Sequence, residues 1–171
     1  MSYKTYETER LYLRPTQEED TAFILELLNT PKWIQFIGDR NVHTEEDAAN
    51  YIKERMLPQL ERLGFSNYTV ILKSDGTKIG TCGLYDREGL EGIDIGFAFL
   101  PAFEGQGFGY ESSIKMKELA FNELAITTIR AITSKGNTAS QKLLEKLGLV
   151  CTGTTILPDE DKELFVYQID K

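Results

Sequence analysis

The segment Glu104-Gly105-Gln106-Gly107-Phe108-Gly109 stands between an apolar stretch, Ile93–Leu100, closed by Pro101, and a helical pattern that runs to about Asn122. A strand, then glycine-rich backbone, then a helix start leaves backbone N–H groups without intrahelical partners, facing whatever lies beyond the turn. The helix macrodipole adds partial positive charge there, so the place suits a phosphate or pyrophosphate. Gly107 and Gly109 have no Cβ to hold an anion off the backbone. The same pattern also describes an ordinary strand-to-helix turn. Two nucleotide motifs are excluded. No Gly-Lys-Ser/Thr follows, as a Walker loop requires. A dinucleotide fingerprint begun at Gly105 needs glycine where Tyr110 stands, and one begun at Gly107 needs it where Ser112 stands.

A second group is Asn137-Thr-Ala-Ser140, followed by Leu143, Leu144, Leu147 and Gly148. As local physics it is a capped amphipathic helix with a glycine stop. The one histidine, His43, removes multi-His metal sites and leaves Ser-His-Asp or Cys-His chemistry resting on a single residue. It reads as a surface residue before a helix cap at Thr44. Cys82 and Cys151 are too few for a disulfide framework and read as inert strand residues.

Composition sets the class. The chain has 171 residues, 41% hydrophobic and 27% charged, with a net charge of −8, which fits one globular domain over residues 1–171. An acidic chain disfavours a nucleic-acid partner and favours cationic substrates such as amines. No apolar run approaches the roughly 20 residues that span a bilayer, and the start has no apolar stretch of the kind a secretion signal uses. The expectation is a soluble cytoplasmic protein without a membrane partner, either monomer or homodimer.

The periodicities predict the elements that must position these residues. Leu11–Arg14 alternates as a short strand. Thr16 with Glu19 makes a capping box for a helix carrying Phe23, Ile24, Leu27 and Leu28, which Thr30-Pro31 stops. Thr44 with Asp47 caps a second helix with Ala48, Tyr51, Ile52 and Met56 on its apolar face, a break near Pro58 and Gly64 at its end. Tyr68–Leu72 and Lys78–Tyr85 form a hairpin, and a turn around Asp86–Gly92 leads into Ile93–Leu100. After the glycine segment and its helix comes the strand Thr128–Thr133. The helix from Asn137 should turn Ala139, Leu143 and Leu147 to the core, and Leu149–Ile156 with Leu164–Ile169 closes the chain as a hairpin. The fold class is mixed α/β, antiparallel in its first half with a helical crossover in its second.

Together the glycine segment and the Asn137–Leu149 segment resemble the GNAT N-acetyltransferase superfamily, in particular its RimJ/RimL-type branch of ribosomal-protein N-terminal acetyltransferases. Thr30–Gly38 and Glu9–Pro15 look like that branch's inter-helix region and first strand, so the likeness covers nearly the whole chain. It implies a central, mostly antiparallel sheet of about seven strands, splayed between the fourth and fifth, with about four helices. It also implies acetyl-CoA as cosubstrate, with no metal, and transfer of the acetyl group to a primary amine by direct attack in a ternary complex. The acceptor implied is the α-amine of a protein or peptide. A polyamine, amino acid or antibiotic amine is the alternative, as is a CoA-binding module without turnover.

By the same resemblance, the pantetheine arm pairs with backbone around Phe97, Phe99 and Leu100. The phosphates lie on Gly105, Gln106, Gly107, Phe108, Gly109 and Tyr110, and Asn137 and Ser140 reach the thioester end. Asp94 stands where relatives carry a catalytic glutamate and is the candidate general base. Ser140 is a possible proton donor as well as a cofactor contact. Trp33, Phe36 and Ile37 wall the acceptor site. Two positions depart from the family pattern: Glu104 replaces the Arg or Gln that begins the phosphate loop, and no tyrosine stands near Leu149 and Val150 to protonate the leaving thiolate.

Overall fold

In the computed structural model, which describes residues 3–171, period-two alternation gives the strands two unlike faces. Met1 and Ser2, counted in the domain by the sequence reading, lie outside the described residues. The strands are β1 (Tyr6–Glu7), β2 (Leu11–Pro15), β3 (Asn67–Leu72), β4 (Lys78–Tyr85), β5 (Ile93–Phe99), β6 (Thr128–Ser134), β7 (Val150–Thr155) and β8 (Leu164–Asp170). They form one sheet in the order β1-β2-β3-β4-β5-β6-β8-β7, antiparallel at every junction except β5 with β6. β1 is a strand the sequence pattern does not announce, being two residues long.

The helices are α1 (Thr21–Leu28), α2 (Pro31–Phe36), α3 (Glu45–Tyr51), α4 (Leu57–Leu63), α5 (Phe108–Asn122) and α6 (Thr138–Lys146). α5 is the crossover that makes β6 parallel to β5. One sheet face presents Leu11, Leu13, Tyr68, Val70, Cys82, Leu84, Ile95 and Ile129 to α5 and α6, where Met116, Leu119, Ala120, Leu144 and Leu147 complete the main core. α1 and α3 cover the other face and share a smaller cluster of Phe23, Ile24, Leu27, Leu28, Ala48 and Ile52.

Three expectations change, and the break expected near Pro58 takes the form of a π turn. Thr30-Pro31 ends α1 but also starts α2, because proline at a first helical turn lacks only an N–H that would have no partner there. The helix from Thr44 is interrupted by a π turn, Ile52–Met56, before α4. Pro58 cannot donate to the carbonyl four residues back, and the chain absorbs the mismatch upstream. The Thr44–Asp47 box itself is present, with Thr44 Oγ1 accepting from the Asp47 N–H at 3.0 Å. Ala139 is exposed, and Leu144 takes the fully buried position on α6. The Thr16–Glu19 box is not formed. The carboxylate of Asp20 accepts from the Gln17 N–H at 2.9 Å, while Thr16 is buried beside β3.

Asp20 is the most connected charge of the fold. It is fully buried and accepts two hydrogen bonds from Arg14, at 2.8 and 2.9 Å, one from Thr69 at 3.1 Å, and an ion pair from Lys78 at 2.7 Å. Burial alone would raise its pKa, but the Arg14 and Lys78 hydrogen bonds outweigh that and hold it below its ordinary value of 3.8. Its contribution to stability is therefore present above the ordinary carboxylate value and lost as pH falls through the lowered native one. Asp20→Asn, which leaves Arg14 and Lys78 facing an uncharged amide, is expected to lower the unfolding free energy by about 3 kcal/mol. Urea midpoints at pH 7 measure this, and the gap to wild type should narrow below pH 4.

Candidate active site

β5 and β6 pair only at Ile93 with Ile129 and Asp94 with Arg130. Beyond that the strands part, and the β6-facing edge of β5 has no strand partner from Ile95 to Phe99, while its other edge stays paired with β4 up to Phe99 opposite Gly80. Two cavities meet at the gap. The first, about 540 Å³, is lined by Phe97, Ala98, Phe99, Gly105, Gly107, Phe108, Gly109, Ser140 and Leu143. The second, about 430 Å³, lies over the polar face of the sheet and is lined by Tyr51, Asn67, Thr81, Tyr85, Arg87, Asp94 and Gly96. Trp33, Phe36, Ile37, Phe97, Ala98, Asn137 and Ser140 line both.

The loop geometry follows from its glycines. Gly105 and Gly107 take φ of +74° and +85°, left-handed values that L residues with a Cβ rarely adopt. Gly107 is the residue before α5, so the first N–H groups of the helix have no side-chain cap. A Cβ at Gly109 would lie 3.1 Å from Leu143 Cδ2, so its absence lets α5 and α6 close on the cavity. These positive-φ glycines, the uncapped helix start and the unpaired edge of β5 fit a long ligand with phosphates at one end and amide groups along its arm. Arg10 was not anticipated as part of this loop. Its guanidinium lies 4.2 Å from the Phe108 ring centroid, donates to the Gln106 carbonyl at 3.1 Å and pairs with Glu111 at 2.8 Å. No local sequence signal marks it, because its partners lie about a hundred residues away.

The predicted cofactor residues divide. Phe97, Phe99, Gly105, Gly107, Phe108, Gly109, Asn137 and Ser140 line the first cavity. Leu100 does not: its N–H donates to Ile79 and its carbonyl accepts from Phe103, and its side chain is buried under α1 and α3. Gln106 turns its amide back to the Ala102 carbonyl at 3.0 Å, and the Tyr110 ring lies under Lys146 at 4.0 Å, so neither side chain lines a cavity. Asn137 caps α6 by accepting from the Ser140 N–H at 3.2 Å and lines both cavities. Glu104 forms an ion pair with Lys32 of α2.

Asp94 lies on the floor of the second cavity, 1% exposed, with Arg87 donating to its carboxylate at 3.2 to 3.4 Å. Burial raises its pKa above the ordinary value against the pull of Arg87. A raised carboxyl of this kind holds and releases a proton nearer neutrality than an exposed one. Arg87, missed within the turn after β4, also stacks on Tyr85 with 5.4 Å to the ring centroid. Tyr85 lies across the cross-strand pair Gly83 and Gly96, where added Cβ atoms would meet it at 2.7 and 3.0 Å. Glycines inside two adjoining strands signal such a close approach in sequence. His43 is exposed and faces Asp39 at 3.6 Å, away from both cavities. The Cys82 thiol is buried, which pushes its pKa up to about 11.

Residues 10–150 match the acetyltransferase (GNAT) domain family. The uncharacterised N-acetyltransferase p20 of Bacillus licheniformis is 29% identical over 162 residues, covering 93% of this chain and 88% of that one. A GNAT-family acetyltransferase of Bacillus anthracis superposes with a TM-score of 0.80 at 25% identity, covering 98% of both chains. RimL, a ribosomal L7/L12 α-N-protein acetyltransferase solved with coenzyme A, has a TM-score of 0.80 at 17% identity over 98% of both chains, a likeness of fold. No helix among the described residues is long and apolar enough to cross a membrane.

Gly107→Val is expected to weaken coenzyme A binding at least about tenfold, since a β-branched side chain at φ +85° costs about 1–2 kcal/mol and distorts the N–H array. Unfolding should stay cooperative. Calorimetric titration measures the loss, and unchanged affinity would remove the phosphate assignment from this loop.

Proposed function

This chain belongs to the GNAT acetyltransferase family and is an acetyl-CoA-dependent N-acetyltransferase, and from that premise we propose that it acetylates the α-amine of a protein or peptide terminus by direct attack in a ternary complex. The observation that carries the reading is the meeting of two cavities at the parted strands, one suited to a phosphate-bearing thioester and the other floored by a buried carboxylate. All 171 residues would serve as one catalytic domain. In this reading the thioester arm lies along the free edge of β5, with its phosphates on the N–H groups that open α5. Asn137 and Ser140 hold its reactive end, and Trp33, Phe36 and Ile37 wall the acceptor.

The amine nitrogen attacks the thioester carbonyl carbon. A C–N bond forms, the C–S bond breaks, and the nitrogen gives up a proton while the leaving thiolate takes one. Asp94 receives the amine proton, directly or through water. A thiolate of pKa near 8.5 leaves without a strong acid, so Ser140 with water suffices to protonate it. An α-amine of pKa near 8 is about a tenth neutral at pH 7, a deprotonation cost of about 1 kcal/mol, against about 4–5 kcal/mol for a lysine near 10.4.

The loops over the second cavity support an acceptor that enters end-on. A Cβ on Gly89 would meet Pro158 Cδ at 2.3 Å, so the β4–β5 turn rests on the β7–β8 turn, and Arg40 pairs with Glu160 at 3.2 Å across the same opening. A terminus passes such an opening more readily than the middle of a chain. The same closure favours a second reading, a compact small-molecule amine.

Thiol release from acetyl-CoA with short peptides and a panel of small amines tests both, and no release with any amine would overturn the transferase reading. Asp94→Asn is expected to lower kcat by about a hundredfold, a typical share for a general base. Wild-type kcat/KM should rise with pH through the raised Asp94 pKa, and the variant should lack that limb. Coenzyme A affinity should stay within about twofold, because the residue lines the acceptor cavity alone.

A further inference from the structure

Tyr85 does not end in the acceptor cavity by itself. Its hydroxyl donates to Asn67 Oδ1, and Asn67 Nδ2 donates to Thr16 Oγ1 at 2.8 Å. The Thr16 and Thr69 hydroxyls lie 2.8 Å apart, and Thr69 donates to Asp20 Oδ2 at 3.1 Å. The path runs from the cavity across β4 and β3 to the segment after β2 that holds the buried carboxylate. Arg14 and Lys78 keep that carboxylate charged, so it can only accept.

Counting protons fixes the direction of the whole path. Four contacts need four protons, and Tyr85, Asn67, Thr16 and Thr69 supply one each when every group donates toward Asp20. Turning the Asn67 amide round would make Asn67 donate to Tyr85, Thr16 to Asn67 and Thr69 to Thr16. No proton would then remain between Thr69 and the carboxylate, and two oxygens would face each other at 3.1 Å. A charged acceptor in a buried place does not tolerate that arrangement.

The proton of Tyr85 is thus committed to Asn67, and what its oxygen offers a molecule in the cavity is lone pairs. We propose that Tyr85 is a hydrogen-bond acceptor for the N–H groups of the incoming amine, set in that role by a one-way hydrogen-bond chain through Asn67, Thr16 and Thr69 to Asp20. This rests on the acetyltransfer reading of the cavity. The tyrosine is then not the acid for the leaving thiolate, although it is a tyrosine in the active cleft, and burial also keeps its hydroxyl protonated by raising its pKa. Its place fits the role: it is directly opposite Asp94 across β4 and β5. One carries lone pairs for the amine while the other takes the proton. Thr69 and Thr16 act through Asn67 and are positioning residues.

Trp33 is the only tryptophan and lines the same cavity, so its emission reports amine binding without turnover. The experiment titrates n-propylamine into wild type, Tyr85→Phe and Thr69→Val with coenzyme A bound. It then measures KM and kcat for the same amine with acetyl-CoA. Tyr85→Phe is expected to weaken propylamine binding and raise its KM about tenfold, with kcat and coenzyme A affinity close to wild type. Thr69→Val keeps the shape of the side chain, lies beyond the amine's reach and breaks the path, so it is expected to raise the same KM about threefold without lowering kcat. Equal propylamine affinity in Tyr85→Phe, or no propylamine binding by wild type, would overturn the assignment of Tyr85. A Thr69→Val protein indistinguishable from wild type would overturn the chain. Binding that follows the expected order without any thiol release would leave the amine site standing and remove the acetyltransfer reading.

Discussion

The parting of β5 and β6 after two paired residues is the constraint on which the remaining architecture turns. A buried backbone group without a partner costs about 1–3 kcal/mol, so an open strand edge in the middle of a sheet must be met by water or by a ligand. The gap is held open rather than left to chance. β6 is paired along its full length to β8 on its far side, and α2 is fastened to the β6 side of the gap by the Ser134 hydroxyl to the Phe36 carbonyl at 2.6 Å and by Lys162 to the Gln35 carbonyl. The same helix gives Trp33 and Phe36, and the residue after it Ile37, to the walls of both cavities.

The two faces of the sheet divide the labour. The face under α5 and α6 is a conventional apolar core, and it anchors the glycine loop through Phe108 and Phe99. The face under α1 to α4 carries Arg14, Asn67, Thr69, Thr81, Tyr85 and Asp94, joined by glycines at positions 83 and 96. Such a surface contributes little hydrophobic energy, and the buried ion pairs on it are weak sources of net stability. Its hydrogen bonds fix directions instead: from Tyr85 through Asn67, Thr16 and Thr69 each side chain donates toward Asp20. That suits a site whose substrate must be held with its lone pair toward a carbonyl carbon.

Much of this was legible in the sequence, and the reasons for the misses are physical. The element order from Leu11 onward followed from period-two and period-3.6 patterns, and the glycine loop was legible because positive φ demands glycine. α2 was hidden because Pro31 reads both as a stop and as a start. The π turn was hidden because hydrogen-bond slippage leaves no compositional trace, although Pro58 marked its neighbourhood. Asp94 came from family likeness alone, and its partner Arg87 sits in a turn that reads as solvated. The chain from Tyr85 to Asp20 joins residues 16, 20, 67, 69 and 85, which are brought together only by strand register. Thr16 even carried a convincing local role as a helix cap, and burial beside β3 overrode it.

Charge at the glycine loop shows how a departure from the family pattern can be absorbed. Glu104 places a negative side chain where the family pattern has Arg or Gln, yet its carboxylate is engaged by Lys32, and such a surface pair is weak enough to rearrange when an anion arrives. Arg10 brings a second cation to the back of the loop, but Glu111 neutralises it, so its service there is to hold Gln106 and Phe108 in place rather than to supply charge. What remains facing the cavity is backbone: Gly107 in the left-handed region and the uncapped N–H groups that follow it. Anion binding through oriented N–H groups needs no side chain at the first loop position. It needs the loop to keep its shape, which is the part that Arg10, Gly107 and the packing of Gly109 on Leu143 secure.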